Sequence, residues 1–335
     1  MESLSLRAMS AILVAFLLVA PTAGAVTSPQ PALHVIVPGE VASRLLALDC
    51  ERLEGHDARA LLAQMPAPRI VSIQGSIPIV TMEAFARFLI AMGYPEAQLR
   101  DPADGALTQS SFVDSDKLAG IIAWHYERDG LRPMLIGHSG GGMLVIRTLH
   151  ELAGAFHGEI PVFDPVDGVA QPRTTIRDPY SDRELPVVGL KVSFAAALAT
   201  GTLPRVLLGQ WTMIPLLRKV PDTVVEFTGF AIAWDPIAGN VGAPSPYVAT
   251  GTAQVRNVLL PVSYTHIGLP RTEHLAAQRE TRSWIDAYRP SDVPPPPSSA
   301  DADTGNLLHA ADLWFSIRRH WCLEGQQLLR RQGHS

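Results

Sequence analysis

Residues 133–144 read Pro-Met-Leu-Ile-Gly-His-Ser-Gly-Gly-Gly-Met-Leu. Met134, Leu135 and Ile136 form a short apolar run suited to a buried strand, and Gly137 to Gly142 cannot prolong it. Beyond the glycines, Met143, Leu144 and Leu152 mark a long helix running to about Phe156. The stretch therefore predicts a strand that bends sharply into a helix, with Ser139 at the bend. The same alternation of short apolar runs and amphipathic helices extends from Leu33 to Tyr288. It predicts an α/β chain with a mostly parallel central sheet flanked by helices.

Working outward, the expected strands on the N-terminal side are His34–Val37, closed by Pro38-Gly39, and Arg69–Ile73, closed by Gln74-Gly75-Ser76. A short helix is expected around Ala58–Gln64. Thr81 can cap a helix whose buried face is Phe85, Phe88, Leu89 and Met92, stopped by Gly93 and Pro95. Another helix follows Asp114-Ser115, with Leu118, Ile121, Ile122 and Tyr126 as its apolar stripe and Gly130 as its end. On the C-terminal side, Ile160–Pro186 reads as an irregular arm rich in Asp, Pro and Arg. Strands are expected at Val187–Ala197, Val224–Trp234 and Val255–Tyr264, and a closing helix at Thr272–Tyr288. A small apolar cap is inserted at about residues 201–223. The main domain spans residues 26–290. A proline-rich linker, residues 291–304, leads to a helical tail, residues 305–335, with Leu313, Trp314 and Ile317 at core-like spacing.

The 335 residues carry a net charge of −5 with both signs well mixed, and 47% are hydrophobic. That balance suits a buried core and excludes a basic nucleic-acid surface. Residues 1–25 read as an export signal: Arg7, the apolar run Ala11–Ala20, the breaker Pro21, and Ala23-Gly24-Ala25 as a small-residue cleavage site. The alternative is an uncleaved membrane anchor. With cleavage, the chain is secreted or periplasmic and keeps no stable membrane span. Cys50 and Cys322 could then pair in an oxidising compartment, or persist as two buried thiols.

Gly137-His138-Ser139-Gly140-Gly141 fits G-x-S-x-G, a pattern that presents a serine hydroxyl at a strained strand-to-helix turn. In such a turn the glycines give room, and the N–H of the next residue, Gly140, points toward developing negative charge at a helix N-terminus. The alternatives are a glycine-rich turn in which Ser139 merely caps the helix, and a phosphate-binding turn, although no G-K-[ST] follows. A serine hydroxyl needs a base, and the base needs an orienting carboxylate. His266 follows the last expected strand and precedes the closing helix, the place for a base carried on a loop, unless it is a structural loop histidine. Asp235 ends the strand Val224–Trp234 and is the first candidate acid. Asp164, between Phe163 and Pro165, is the second, and either could be no more than a turn aspartate. The loop after Arg69–Ile73 offers backbone N–H groups of Ser76 or Ile77 as the second oxyanion donor. His138 reads as a packing and hydrogen-bonding residue.

With Gly137-His138-Ser139-Gly140-Gly141, Asp235 after a late strand and His266 before the last helix, the chain resembles the α/β-hydrolase superfamily, in particular secreted bacterial-type lipases and esterases. The resemblance implies acyl transfer through an acyl-enzyme without cofactor or metal. One departure is Gln74-Gly75, where many members have His-Gly in the oxyanion loop. Leu207, Leu208, Trp211, Met213, Ile214, Leu216 and Leu217 could line an acyl pocket or simply pack the cap, and the first of these favours a small-molecule ester with a hydrophobic acyl group. The same residues would serve an exopeptidase or amidase, and the fold alone would serve a non-catalytic binding protein. Oligomeric state has no signature in the sequence.

Overall fold

The structure, a computed structural model, describes residues 37–333 except 78, 243, 296 and 298–303. Residues 1–36 lie outside this range, so the export signal and most of the strand expected at His34–Val37 fall on undescribed residues. Among the described residues, five parallel strands form the central sheet: β1 (Ile70–Ile73), β2 (Met134–His138), β3 (Val192–Leu198), β4 (Val224–Ile232) and β5 (Gln254–Leu260). They lie side by side in chain order. Parallel neighbours need crossovers that cover the sheet faces, so strands buried on both sides are expected. β1, β2 and β3 are buried at every position.

The pleat sorts side chains between two cores. Ile70, Met134, Ile136, Phe194, Ala196 and Leu198 face one side. Val71, Ile73, Leu135, Ala195, Ala197 and Phe227 face the other. The first core is closed by α1 (Gly39–Leu46), α2 (Gly55–Leu62), α3 (Glu83–Ala91), α7 (Arg279–Ala287) and α8 (Leu307–Arg331). The second is closed by α4 (Ser115–Asp129) and α5 (Gly140–Leu152). α6 (Leu203–Leu207) lies between β3 and β4.

Local chemistry sets the element ends. Gly130 caps α4 with φ +66, and Gly93, at φ +100, follows α3, as their lack of a Cβ allows. α5 stops at Leu152, short of Phe156, because Gly154 turns the chain at φ +75. β3 begins only at Val192, since Val187 to Leu190 form a turn around Gly189. β5 ends at Leu260 because Pro261 has no N–H to give the ladder. The region expected as an irregular arm contains two small hairpins, Phe163–Asp164 with Val169–Ala170 and Thr175–Arg177 with Glu184–Pro186, both packed on α4. Between β3 and β4, Met213 and Leu217 are buried in the second core, whereas Leu207, Leu208 and Trp211 are exposed.

α8 is a core element. Trp314, Ile317 and Trp321 are buried in the first core. Its polar positions meet the sheet as well: Arg256 of β5 makes a two-pronged ion pair with Asp312 at 2.6 and 2.7 Å, and Arg319 pairs with Glu226 of β4 at 2.6 Å. A disulfide joins Cys322 of α8 to Cys50, just beyond α1. Among the described residues, no helix is long and apolar enough to cross a membrane.

Candidate active site

All five strands end at one edge of the sheet, which is where loops of a parallel α/β sheet gather functional groups. At the end of β2 the chain turns through Ser139, with φ 52 and ψ −111, and enters α5. A positive φ is costly for a non-glycine residue, and such strain concentrates at functional sites. The surroundings hold it in place. Ser139 N donates to Leu198 O at 2.7 Å, and Thr200 Oγ1 donates to Ser139 O at 3.0 Å. Ala199, at the end of β3, is also at positive φ.

The glycines around Ser139 are there for close approach. A Cβ on Gly137 would strike the backbone of Gly141, one on Gly141 the backbone of Ile73, and one on Gly142 the hydroxyl of Thr200. A Cβ on Gly140 would collide with Ser76 Oγ and come within 3.0 Å of Ser76 N. The loop after β1 therefore sits directly against the start of α5, bringing the backbones of Ser76 and Gly140 together. Ile77, next in the loop, is half exposed and lines the same cavity as Ser139.

His266 lies in the loop between β5 and the closing helices, and is 7% exposed. Its Nδ1 is 2.7 Å from Oδ2 of Asp235. Asp235 follows β4 in a two-residue ladder with Asn240–Val241 and is 1% exposed. Its Oδ1 accepts the N–H of Ala238 at 3.0 Å. With Nδ1 directed at the carboxylate, Nε2 is the ring nitrogen left for proton transfer. Asp164 is elsewhere: its carboxylate accepts the N–H groups of Val166 and Asp167 and closes its own hairpin turn.

Ser139 and His266 line one cavity of about 350 Å³. Most of its remaining wall is apolar, including Val80, Pro204, Leu207, Leu208 and Ile237. His138, the residue before Ser139, lines the cavity too. Its Nε2 lies 2.9 Å from the backbone oxygen of His266, and the two rings are 5.0 Å apart. Burial, reinforced by the neighbouring His266, pushes the His138 pKa down to about 3. The ring is thus neutral near pH 7, and because a carbonyl only accepts, Nε2 carries the proton.

Three contributors were not identified from the sequence. Thr200 holds the carbonyl of Ser139, and nothing in a lone threonine after a strand announces that. Arg205 lines the cavity from α6. The first turn of α8 grips the His266 loop: Asn306 Nδ2 donates to the oxygens of Gly268 and Arg271, Leu308 N donates to Tyr264 Oη, and His309 Nε2 lies 2.8 Å from Leu269 O. Asn306 has φ 66, a conformation asparagine tolerates better than most residues, and an asparagine just before the helical tail was the signal in the sequence.

No family model matches the chain, and comparison with curated proteins and with solved structures likewise finds no match.

Proposed function

We propose that this protein is an exported serine hydrolase of the α/β-hydrolase type that cleaves carboxylic esters through an acyl-enzyme. One observation carries the reading: a serine on a strained strand-to-helix turn shares a cavity with a histidine whose other nitrogen is held by a buried aspartate. In this mechanism His266 Nε2 takes the hydroxyl proton as Ser139 Oγ bonds to the ester carbonyl carbon. Asp235 keeps the ring in the required tautomer and stabilises the imidazolium. The backbone N–H groups of Gly140 and of Ser76 or Ile77 stabilise the oxyanion. One such donor is typically worth about 2.7–4 kcal/mol of barrier. Collapse expels the alkoxide, which takes the proton from His266. Water, deprotonated by the same nitrogen, then releases the acid and restores Ser139.

The apolar wall supports an ester with a hydrophobic acyl portion. The disulfide is compatible with an extracellular or periplasmic location. A fluorophosphonate probe tests the reading: native protein should be labelled at Ser139, and Ser139→Ala should not. Absence of labelling, or equal labelling of the variant, overturns it. Parallel assays with p-nitrophenyl esters and aminoacyl anilides test the choice of ester over amide; faster turnover of the anilides reverses it.

A further inference from the structure

Arg205 is 2% exposed, yet it lines the cavity that holds Ser139 and His266. Its Nη1 donates to Gln210 Oε1 at 2.6 Å, and its Nε is buried without a partner. Burial alone acts on its charge, lowering its pKa, with no acidic neighbour among the described residues to offset it. Several other buried or half-buried arginines face a carboxylate. Arg132 faces Glu324, Arg173 faces Glu127, Arg256 faces Asp312, and Arg319 faces Glu226. Arg318, equally deep and also with a buried Nε lacking a partner, differs in donating to two backbone carbonyls and in having Asp286 nearby to offset its charge.

A guanidinium cannot shed its proton under ordinary conditions, so an uncompensated one in an apolar wall carries a standing desolvation cost. An oxyanion entering the cavity would remove it, and a carboxylate matches the planar fork of donors.

Taking the ester-hydrolase reading as its basis, we propose that Arg205 binds a free carboxylate on the substrate. The natural ester then combines an apolar chain with an anionic group, and Arg205 selects it over neutral esters.

The test compares two substrate pairs. The acid is placed in the acyl portion in the mono-p-nitrophenyl ester of suberic acid, against p-nitrophenyl octanoate. It is placed in the alcohol portion in 4-(octanoyloxy)benzoate, against its methyl ester. In at least one pair, kcat/KM of the wild type should favour the acid by tenfold or more, the scale of a hydrogen bond to a charged group. In Arg205→Met that ratio should fall close to one. The variant removes an uncompensated buried charge and should melt no lower than the wild type; Arg205→Gln gives the same ratio if the Met variant does not fold. Wild-type ratios near one in both pairs overturn the proposal, as does a preference that survives the loss of the guanidinium. Wild type that labels with fluorophosphonate but shows no preference refutes this inference alone, whereas failure to label refutes the hydrolase reading beneath it.

Discussion

The side chain of His138 is hydrogen-bonded to the backbone of His266, Nε2 to carbonyl oxygen, at 2.9 Å. Adjacent to the proposed nucleophile in sequence, it holds the proposed base in space. In the proposed mechanism His138 is thus a positioning residue. Removing it leaves a buried carbonyl without its donor, a loss of about 1–3 kcal/mol. His138→Ala should lower kcat roughly tenfold or more with little change in KM, and His138→Gln, which retains a donor, should recover part of the loss. The acid limb of the pH–rate profile should stay where it is in both variants, because His138 titrates only near pH 3. Movement of that limb in His138→Gln would mean that His138 itself carries the catalytic proton.

The two candidate acids give a second contrast. Asp235 is buried against His266 Nδ1, whereas Asp164 accepts two N–H groups of its own turn. Asp235→Asn should lower kcat on p-nitrophenyl butanoate by about 10³–10⁴-fold, because an amide favours the wrong imidazole tautomer. Asp164→Asn keeps an oxygen for the turn and should stay within about threefold of wild type. Large loss in the Asp164 variant with little in the Asp235 variant would reverse the roles.

Strand β2, the bend at Ser139 and the helix after it were legible because glycine punctuation and apolar periodicity coincide there. Asp235 and His266 were legible as candidates because each stands just past an apolar run. The sequence ranked Asp235 ahead of Asp164 as the partner of His266 without deciding between them, since the contact depends on two loops closing over the ends of β4 and β5. α8 was legible as a helix with a core-like stripe at Leu313, Trp314 and Ile317, but it was set apart from the main domain because the proline run before it resembles a linker. The Cys50–Cys322 bridge that helps bind α8 to the domain was one of the two outcomes expected for those cysteines, whereas its ion-pair partners, Arg256 and Glu226, are disclosed by no local pattern. Arg205 was hidden for the opposite reason. An arginine in a short apolar segment reads as surface until the structure buries it.

Burial holds His125, His138, His150 and His309 below the ordinary histidine pKa, and the two large displacements, at His138 and His309, make stability sensitive to acid. Burial is the main cause that drives His138 down to about 3 and His309 down to about 4. In the unfolded chain both would titrate near 6.5. Below that pH the unfolded state binds protons that the native state refuses, so stability falls as pH drops from about 6.5 toward 4. Each group contributes a loss of about 2 kcal/mol by pH 5, at 1.36 kcal/mol per unit. Thermal melts at pH 7, 6 and 5 should show the fall, and His309→Gln should flatten it. An unchanged slope in that variant would assign the acid sensitivity to other groups.

α8 offers a separation of stability from activity. The bond between Cys50 and Cys322 closes a loop with a sequence separation of 272 residues, and loss of such a link typically costs about 2–5 kcal/mol. The bridge ties α8 to the segment beyond α1, far along the helix from the turn that grips the His266 loop. Replacing both cysteines by serine, or reducing the native protein, should lower the melting temperature while leaving kcat within about threefold at temperatures where the protein stays folded. Asn306 acts at the other end, through its amide donors to Gly268 and Arg271. Asn306→Gly keeps the positive φ available and deletes only those bonds. It should lower kcat by about three- to tenfold, with a smaller effect on melting than loss of the disulfide. If the disulfide variant instead loses activity before it loses structure, α8 transmits strain along its length to the His266 loop, and its two ends do not act independently.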